Sequence, residues 1–192
     1  MDHHAQARGA RGHAATGVTV WLTGLSGSGK STLASAAAAE LRALGVPATI
    51  LDGDVLRGGL NANLGFGAGD RAEAVRRAGE AAILLASGGV TAVAALISPY
   101  RADRDRVRAR HAEAGVPFIE VFVDAPLEVV ESRDPKGLYA KARAGQIPAF
   151  TGISDPYEPP PSPELHLRTA AASKETCVES LVRAIRSAAT SR

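Results

Sequence analysis

Residues 24–31 constrain the fold of this chain more than any other segment, because they read G-x-x-x-x-G-K-S. They follow a short apolar run over residues 18–22 and precede an Ala-rich run over residues 31–44. The pattern predicts a strand, a glycine loop and a helix in succession. Glycines in such a loop let backbone N–H groups converge on phosphate oxygens, while the lysine adds positive charge and the serine hydroxyl can bind Mg²⁺. This segment therefore predicts a site for a nucleoside triphosphate with Mg²⁺.

Further apolar runs alternate with helical patterns along the rest of the chain. The other predicted strands cover residues 48–51, 90–97, 118–123 and 165–167. The other predicted helices cover residues 71–87, 101–114, 127–132 and 174–189. Because strands and helices alternate, we expect an α/β fold of the P-loop kinase type, with a parallel sheet and helices on both faces.

Polar side chains follow the ends of several predicted strands. In parallel sheets, ligands bind beyond the carboxyl ends of the strands. We therefore expect four groups to line one crevice. These groups are Gly24, the pair Asp52 and Asp54, Ser98, and Asp124.

The chain is expected to form one domain over residues 18–192, after a disordered tail over residues 1–17. The tail is polar and rich in Ala, Gly, Arg and His. Residues 134–163 are rich in Pro, Gly and charge and show little apolar periodicity. A long irregular segment in a compact domain is typical of a functional loop. We predict a mobile lid there, basic and aromatic in character.

Composition excludes several functional classes. The chain has 22 basic and 20 acidic residues, so its net charge of +2 gives no case for nucleic-acid or membrane binding. No apolar run is long enough to span a membrane. The single cysteine, Cys177, cannot form an internal disulfide, which fits a cytoplasmic protein. The sequence contains no N-K-x-D motif for reading guanine, which favours ATP as the nucleotide.

The residues that follow the second strand suggest a phosphoryl acceptor site. Asp52 or Asp54 can orient Mg²⁺ or accept a proton from an attacking hydroxyl, although Asp54 can also be a helix N-cap. Arg57 and Arg71 can bind an anionic acceptor through planar, bidentate contacts. Phe66 can stack on a base or fill the core.

Ser98 follows the most hydrophobic predicted strand and is presented at the crevice. Its hydroxyl can hydrogen-bond the acceptor or take the phosphoryl group itself. A plain turn serine is the remaining alternative. The nearby Arg76 and Arg77 are interpreted as an exposed helix face at least as readily as ligands.

From residue 19 to about residue 167 the sequence resembles the adenylylsulfate (APS) kinases. The matching blocks are GLSGSGKST at 24–32, LDGD at 51–54, GLN at 59–61, LGF at 64–66, DR at 70–71, ISPYR at 97–101, EVFVD at 120–124, RDPKGLY at 133–139, KARAG at 141–145 and FTGI at 150–153. Many blocks in the same order are specific to this family, whereas the glycine loop alone is not.

The resemblance implies transfer of the ATP γ-phosphate to the 3′-hydroxyl of APS, giving PAPS and ADP. PAPS feeds both sulfate reduction and sulfation in sulfate assimilation. The resemblance also implies Mg²⁺ bound with ATP and held by Ser31 and Asp52. It further implies a homodimer. The implied ATP-binding residues are Gly24, Leu25, Ser26, Gly27, Ser28, Gly29, Lys30, Ser31 and Thr32.

The resemblance also assigns roles on the acceptor side. Lys30, Asp54 and Ser98 are the implied catalytic residues, with Asp54 activating the ribose hydroxyl. Arg57 and Arg71 bind the phosphosulfate, and Ser98 matches a serine described as a phosphoserine intermediate, with direct transfer as the alternative. The implied substrate-binding residues are Asp54, Arg57, Phe66, Arg71, Ser98, Lys136, Leu138 and Phe150, with Phe66 and Phe150 on either side of the adenine and Lys136 and Leu138 in the lid.

Three positions depart from the family pattern. Asn63 stands where the family has Asp, residues 67–71 read GAGDR instead of S-P-x-D-R, and Ala74 replaces an Asn of the acceptor pocket. One lost hydrogen bond costs about 0.5–1.5 kcal/mol. The departures leave two alternatives open: a kinase of the same fold acting on another nucleotide or small anionic alcohol, and a non-catalytic nucleotide-binding module.

Overall fold

The computed structural model describes residues 17–190. The predicted tail therefore lies outside the described residues, apart from Gly17. Gly17 is buried, and its amide donates to the carbonyl of Ala86 at 2.7 Å. A Cβ at this position would overlap the carbonyl of Val90. The folded domain thus includes Gly17, one residue before the predicted boundary.

Five parallel strands form one sheet in the order β2-β3-β1-β4-β5. The strands are β1 Thr19–Thr23, β2 Ala48–Asp52, β3 Thr91–Ala95, β4 Phe118–Asp124 and β5 Leu165–Arg168. All of β1 and β3 is buried, as expected for the centre of a sheet that is covered on both faces. The predicted parallel sheet is confirmed.

Helices cover both faces of the sheet. They are α1 Lys30–Ala43, α2 Gly53–Arg57, α3 Ala68–Ser87, α4 Arg101–Glu113, α5 Leu127–Arg133, α6 Leu138–Arg143 and α7 Lys174–Thr190. Leu41 of α1 packs with Leu181 of α7 in one core cluster, whereas Val75 of α3 packs with Val107 of α4 and Trp21 in another. The sequence pattern did not predict the two short helices α2 and α6, because each has fewer than two turns and shows no helical period. Within residues 17–190 no helix has the length and apolar character needed to cross a bilayer.

The segment predicted as an irregular lid has more structure than expected. It contains α6, whose first turn is capped because the Asp134 carboxylate accepts from the amides of Tyr139 and Ala140 at 3.2 and 3.1 Å. Tyr139 meets Phe150 edge to face with ring centroids 5.0 Å apart. Both rings are buried in a cluster with Val130. The wholly irregular reading was wrong, since this small apolar cluster organises the segment; its mobility stays a prediction.

Candidate active site

A crevice of about 680 Å³ opens at the carboxyl ends of the strands. Its walls come from the glycine loop, the end of β2, the start of α3, the turn after β3 and the lid segment. The predicted groups at Asp52, Asp54 and Ser98 do line it, and the loop contributes residues 26–27 and 29–32. Gly24 and Asp124 are the exceptions. Gly24 is not among the residues that line the crevice, and the Asp124 carboxylate lies 2.8 Å from Nε2 of His166 at the sheet edge.

The glycine loop has the backbone that its sequence predicts. Gly24, Gly27 and Gly29 have φ values of 152°, 75° and 102°, which side chains with a Cβ rarely adopt. A Cβ at Gly24 would also overlap the carbonyl of Val123. Helix α1 starts immediately after the loop, at Lys30. Its first amides and positive dipole end therefore face the place where phosphate is expected.

Lys30 is buried, and its ammonium lies within the loop. Nζ donates to the carbonyl of Gly24 at 2.9 Å and to that of Leu25 at 2.7 Å. Burial lowers the pKa of Lys30 to about 7, against a smaller opposing effect of Asp52 and Asp54. A lysine in this setting gains its full charge when anionic phosphate comes close.

Ser31 and Asp52 lie in direct contact. The Ser31 hydroxyl donates to Asp52 Oδ2 at 2.6 Å, and Asp52 Oδ1 accepts from the amide of Asp54 at 2.9 Å. Asp52 is therefore the N-cap of α2, and the N-cap interpretation of Asp54 was wrong. Among residues 17–190 no group of three or more His, Cys, Asp or Glu is arranged to hold a metal ion. One hydroxyl and one carboxylate suit Mg²⁺, which takes few protein ligands and completes its shell with phosphate and water.

Asp54 projects from the first turn of α2 into the crevice. Its carboxylate pairs with the ammonium of Lys136, which comes from the lid segment. Both side chains are largely exposed, so the contact is open to substrate. This pair brings two residues that are 82 positions apart to one point beside Asp52.

Arg57 and Phe66 form a second wall of the crevice. Phe66 is 65% exposed, which rules out the alternative that it fills the core. The guanidinium of Arg57 lies 4.0 Å from the Phe66 ring centroid, and its Nη1 donates to the carbonyl of Gly65 at 3.0 Å. Burial, with the nearby charge of Arg71, lowers the pKa of Arg57. An exposed ring beside a guanidinium presents both a stacking surface and a positive charge.

Arg71 makes several hydrogen bonds to other residues of the protein, which the sequence pattern does not predict. Its side chain is 12% exposed, and it donates to the carbonyl of Phe66 and the carboxylate of Asp155, each at 2.8 Å. Further bonds reach the Thr151 hydroxyl and the carbonyl of Ala149. Arg71 thereby ties the entry to α3 to the lid segment, while still lining the crevice.

The other lid residues singled out from sequence also reach the crevice. Lys136, Leu138 and Phe150 all line it. Phe150 is largely buried against Tyr139, whereas Phe66 is exposed. The two phenylalanines thus line one crevice from different elements, in very different environments.

Ser98 occupies a constrained turn after β3. Its φ is 39°, unusual for a residue with a Cβ, and the residue is only 3% exposed. The Ser98 hydroxyl accepts a hydrogen bond from Nε1 of the buried Trp21 at 3.1 Å. Ser98 is therefore a buried turn serine with a defined hydrogen bond, and its catalytic role stays a prediction.

The departures from the family pattern fall in different places. Ala74 is buried in the crevice wall on α3. Asn63 lies outside the crevice lining, where its Oδ1 accepts from Nη1 of Arg77 at 2.7 Å. Asn61, buried in the same loop, lines the crevice with an Oδ1 that has no hydrogen-bond partner within the described structure. Only Ala74 therefore changes the crevice lining directly.

Sequence reasoning missed several residues that hold the site residues in position. Asp155 anchors Arg71, and its other partner is the hydroxyl of Tyr100 at 2.8 Å. Arg133 donates to the carbonyl of Thr169 at 2.9 Å, and Thr169 donates to the carbonyl of Ser28 in the glycine loop at 2.9 Å. No local pattern marks these residues, because each partner lies far away in the chain.

Comparisons with known proteins agree with this geometry. Residues 16–168 match the family model described as Adenylylsulphate kinase. The adenylyl-sulfate kinase of Saccharomyces pastorianus is 57% identical over 161 residues, which cover 84% of this chain and 80% of that protein.

Solved structures give the same result. The Mycobacterium tuberculosis APS kinase in complex with AMPPNP and APS superposes with a TM-score of 0.87 at 48% identity, covering 89% of this chain and 98% of that one. A hexameric APS kinase from Thiobacillus denitrificans has a TM-score of 0.70 at 34% identity, covering 94% of this chain and 31% of that one. The extent of the family match, together with these identities, establishes that the chain belongs to the adenylylsulphate kinase family.

Proposed function

We propose that this protein is an adenylylsulphate kinase that transfers the γ-phosphate of ATP to the 3′-hydroxyl of APS, giving PAPS and ADP. The observation that carries the proposal is one crevice that holds both halves of the reaction. The glycine loop and Ser31 line one part of it, and Asp54, Arg57 and Phe66 line the other. A relative with this fold, 48% identical, has been solved with AMPPNP and APS.

On the donor side, the loop amides and Lys30 bind the phosphates of ATP. The donor set of Ser31 and Asp52 would hold Mg²⁺. When bound, the ion neutralises charge that develops on the transferred phosphoryl group. The contact of Ser31 with Asp52 at 2.6 Å, beside the glycine loop, supports this pairing of ligands.

On the acceptor side, Asp54 accepts the proton of the attacking 3′-hydroxyl. Its carboxylate lies in the same short turn as Asp52, so the base and the metal-binding group are held next to each other. Lys136 lies against Asp54 and adds positive charge near the transferred group. Arg57 and Arg71 favour an anionic acceptor, and Phe66 offers a face to the adenine.

We infer direct, in-line transfer without a phosphoserine. The Ser98 hydroxyl is buried and already holds the indole N–H of Trp21, which supports a role in shaping the crevice. Phosphorylation of Ser98 would weaken that acceptor and place a dianion in a buried turn, at a high desolvation cost. Positioning of two bound substrates and charge neutralisation are sufficient for this chemistry.

Residues 134–163 act in this proposal as a lid that excludes water. Lys136, Leu138 and Phe150 face the crevice from this segment, which supports the assignment. Water competes with the 3′-hydroxyl for the γ-phosphate, so closure over both nucleotides protects ATP from hydrolysis.

A homodimer and a cytoplasmic location remain predictions. The hexameric relative indicates that assemblies differ among similar kinases, so the number of subunits requires measurement. The buried, unpaired thiol of Cys177 fits a reducing compartment. Light scattering of the purified chain decides between monomer, dimer and larger assemblies.

The activity is tested by following ADP release from ATP and Mg²⁺ with a panel of acceptors. We expect turnover with APS, formation of PAPS, and little turnover with other nucleotides or small anionic alcohols. Turnover with another acceptor but not with APS would overturn the substrate assignment. Binding of ATP and APS without ADP formation would instead make the protein a non-catalytic module.

A further inference from the structure

A buried arginine lies behind Ser98, outside the residues assigned above to the reaction. Arg104 of α4 is 1% exposed. Its Nε donates to the Glu120 carboxylate at 2.8 Å, its Nη1 to the carbonyl of Ser98 at 2.7 Å and its Nη2 to the carbonyl of Glu158 at 2.7 Å. One guanidinium therefore joins β4, the crevice turn and the lid segment.

The Ser98 turn needs such support. A residue with a Cβ keeps a positive φ only where its surroundings hold it there. The carbonyl of Ser98 accepts from Arg104 and, at 3.4 Å, from the hydroxyl of Thr23. The shorter and charged bond is the one from Arg104, and charge-assisted bonds are the stronger kind. Arg104 is thus the stronger of the two partners that hold the Ser98 carbonyl.

The same turn also holds the lid segment at Glu158. The amide of Glu158 donates to the carbonyl of Pro99 at 2.9 Å, and its carboxylate accepts from the amide of Arg101 at 2.6 Å. The neighbouring Tyr157 hydroxyl is hydrogen-bonded to Thr23 at 3.0 Å. Asp155, which anchors Arg71, comes only two residues before Tyr157.

We propose that Arg104 is a positioning residue for the acceptor half of the crevice. It holds the Ser98 turn and the carbonyl of Glu158 in one arrangement, and this arrangement sets the position of Asp155 and hence of Arg71. Arg104 does not itself touch substrate. The inference rests on the proposed kinase activity and adds to it the residue that aligns two crevice walls.

The chemistry of arginine explains why this position needs it. A guanidinium donates in three directions within one plane, whereas an ammonium is a single point charge. The substitution Arg104→Lys therefore keeps a positive charge near Glu120 but cannot reach both carbonyls together. The effect of this substitution therefore reports on the position of the Ser98 turn, because the charge that balances Glu120 is retained.

Arg108 offers a matched control one turn further along α4. It contacts the other oxygen of Glu120 at 3.3 Å and pairs with Glu164 at 2.6 Å, but has no bond to the Ser98 turn or to Glu158. Arg108→Lys thus perturbs the same charge cluster without changing the crevice. We expect it to leave the kinetic constants within about twofold, as for partly exposed ion pairs.

The test measures kcat and both KM values for full-length wild type, Arg104→Lys and Arg108→Lys. For Arg104→Lys we expect kcat/KM for APS to fall about tenfold, mainly through KM, because small misplacements in a site are costly. The KM for ATP should change less than about twofold, because the hydrogen-bond partners of Arg104 are Glu120, Ser98 and Glu158, none of which belongs to the glycine loop. A general loss of folded protein would instead lower kcat with both KM values unchanged.

A second variant keeps the inference testable if Arg104→Lys does not fold. Glu120→Gln retains shape and weakens the anchor of Arg104 together with the longer contact to Arg108, which the Arg108→Lys control isolates. We expect a smaller rise in the KM for APS with the KM for ATP unchanged. An unchanged KM for APS in the folded variants, or equal changes in both KM values, overturns the inference. Failure of the wild type to use APS overturns the proposed function instead, so the two failures are distinguishable.

Discussion

Asp52 Oδ2 accepts a hydrogen bond from the Ser31 hydroxyl at 2.6 Å, which joins the end of β2 to the first turn of α1. The same carboxylate caps α2 through the amide of Asp54. Asp52 therefore links the donor loop, the proposed Mg²⁺ site and the helix that carries the proposed base.

The first prediction concerns Asp52→Asn. Asn is as good an N-cap as Asp, so α2 and the thermal unfolding midpoint should be preserved. The loss of anionic charge should raise the Mg²⁺ concentration required for half-maximal activity by about 10- to 100-fold. Mg²⁺ titrations of ADP formation, with a thermal melt as control, check both parts. An unchanged Mg²⁺ requirement would contradict the role of Asp52.

The second prediction concerns the protonation of Lys30. Burial lowers its pKa to about 7, so at pH 8 the side chain is mostly neutral in the free protein. Bound phosphate favours the charged form, which raises the pKa of Lys30 and requires proton uptake between the free and bound pKa values. Nucleotide binding at pH 8 should take up on the order of one proton.

Calorimetry of AMPPNP binding in two buffers with different ionisation enthalpies measures this uptake. Lys30→Met should remove it, and Lys30→Ala should abolish turnover. Proton uptake that persists unchanged in Lys30→Met would assign the titration to another group. At pH 6 the wild-type uptake should be small, because Lys30 is already charged there.

The third prediction separates direct from covalent transfer. Ser98→Ala should keep substantial turnover, because no phosphoserine is required. It should also lower the free energy of unfolding by about 1–3 kcal/mol, since the buried Nε1 of Trp21 loses its acceptor. Single-turnover kinetics and denaturant unfolding check the two parts. Radiolabel transferred from ATP to wild-type Ser98, with an inactive Ser98→Ala, would establish the covalent route.

The fourth prediction concerns the bond between Arg71 and Asp155. Asp155→Asn removes the charge that orients Arg71 in a largely buried pair, so we expect a loss of about 1–3 kcal/mol of stability and a higher KM for APS. Arg76→Gln is the matched control, because Arg76 is exposed and pairs only locally with Glu73. That control should change stability by less than about 0.5 kcal/mol. Equal effects of the two substitutions on stability and on the KM for APS would contradict the role of Asp155 in orienting Arg71.

Local patterns were sufficient for the parts of this protein that are built from consecutive residues. The glycine loop and the alternation of strands with helices follow from spacing. The position of Asp52 and Asp54 in the same crevice as the loop follows from the shared edge of strand ends in a parallel sheet. The physical reason is that backbone geometry and the apolar period act over a few residues at a time.

Tertiary structure decided which polar groups meet. Packing turned Asp124 towards His166, drew Asp155 to Arg71 across 84 positions, and brought Glu158 to Arg104 across 54 positions. It also buried Tyr139 and Ala142 of α6 with Phe150 in a cluster that has no visible sequence period. These pairings depend on how distant elements come together around a shared core, and spacing along the chain carries no record of that arrangement. The sequence by itself determined the glycine loop between a strand and a helix, because that geometry involves consecutive residues. Only the tertiary structure decided which distant side chains hold Arg71 and the Ser98 turn.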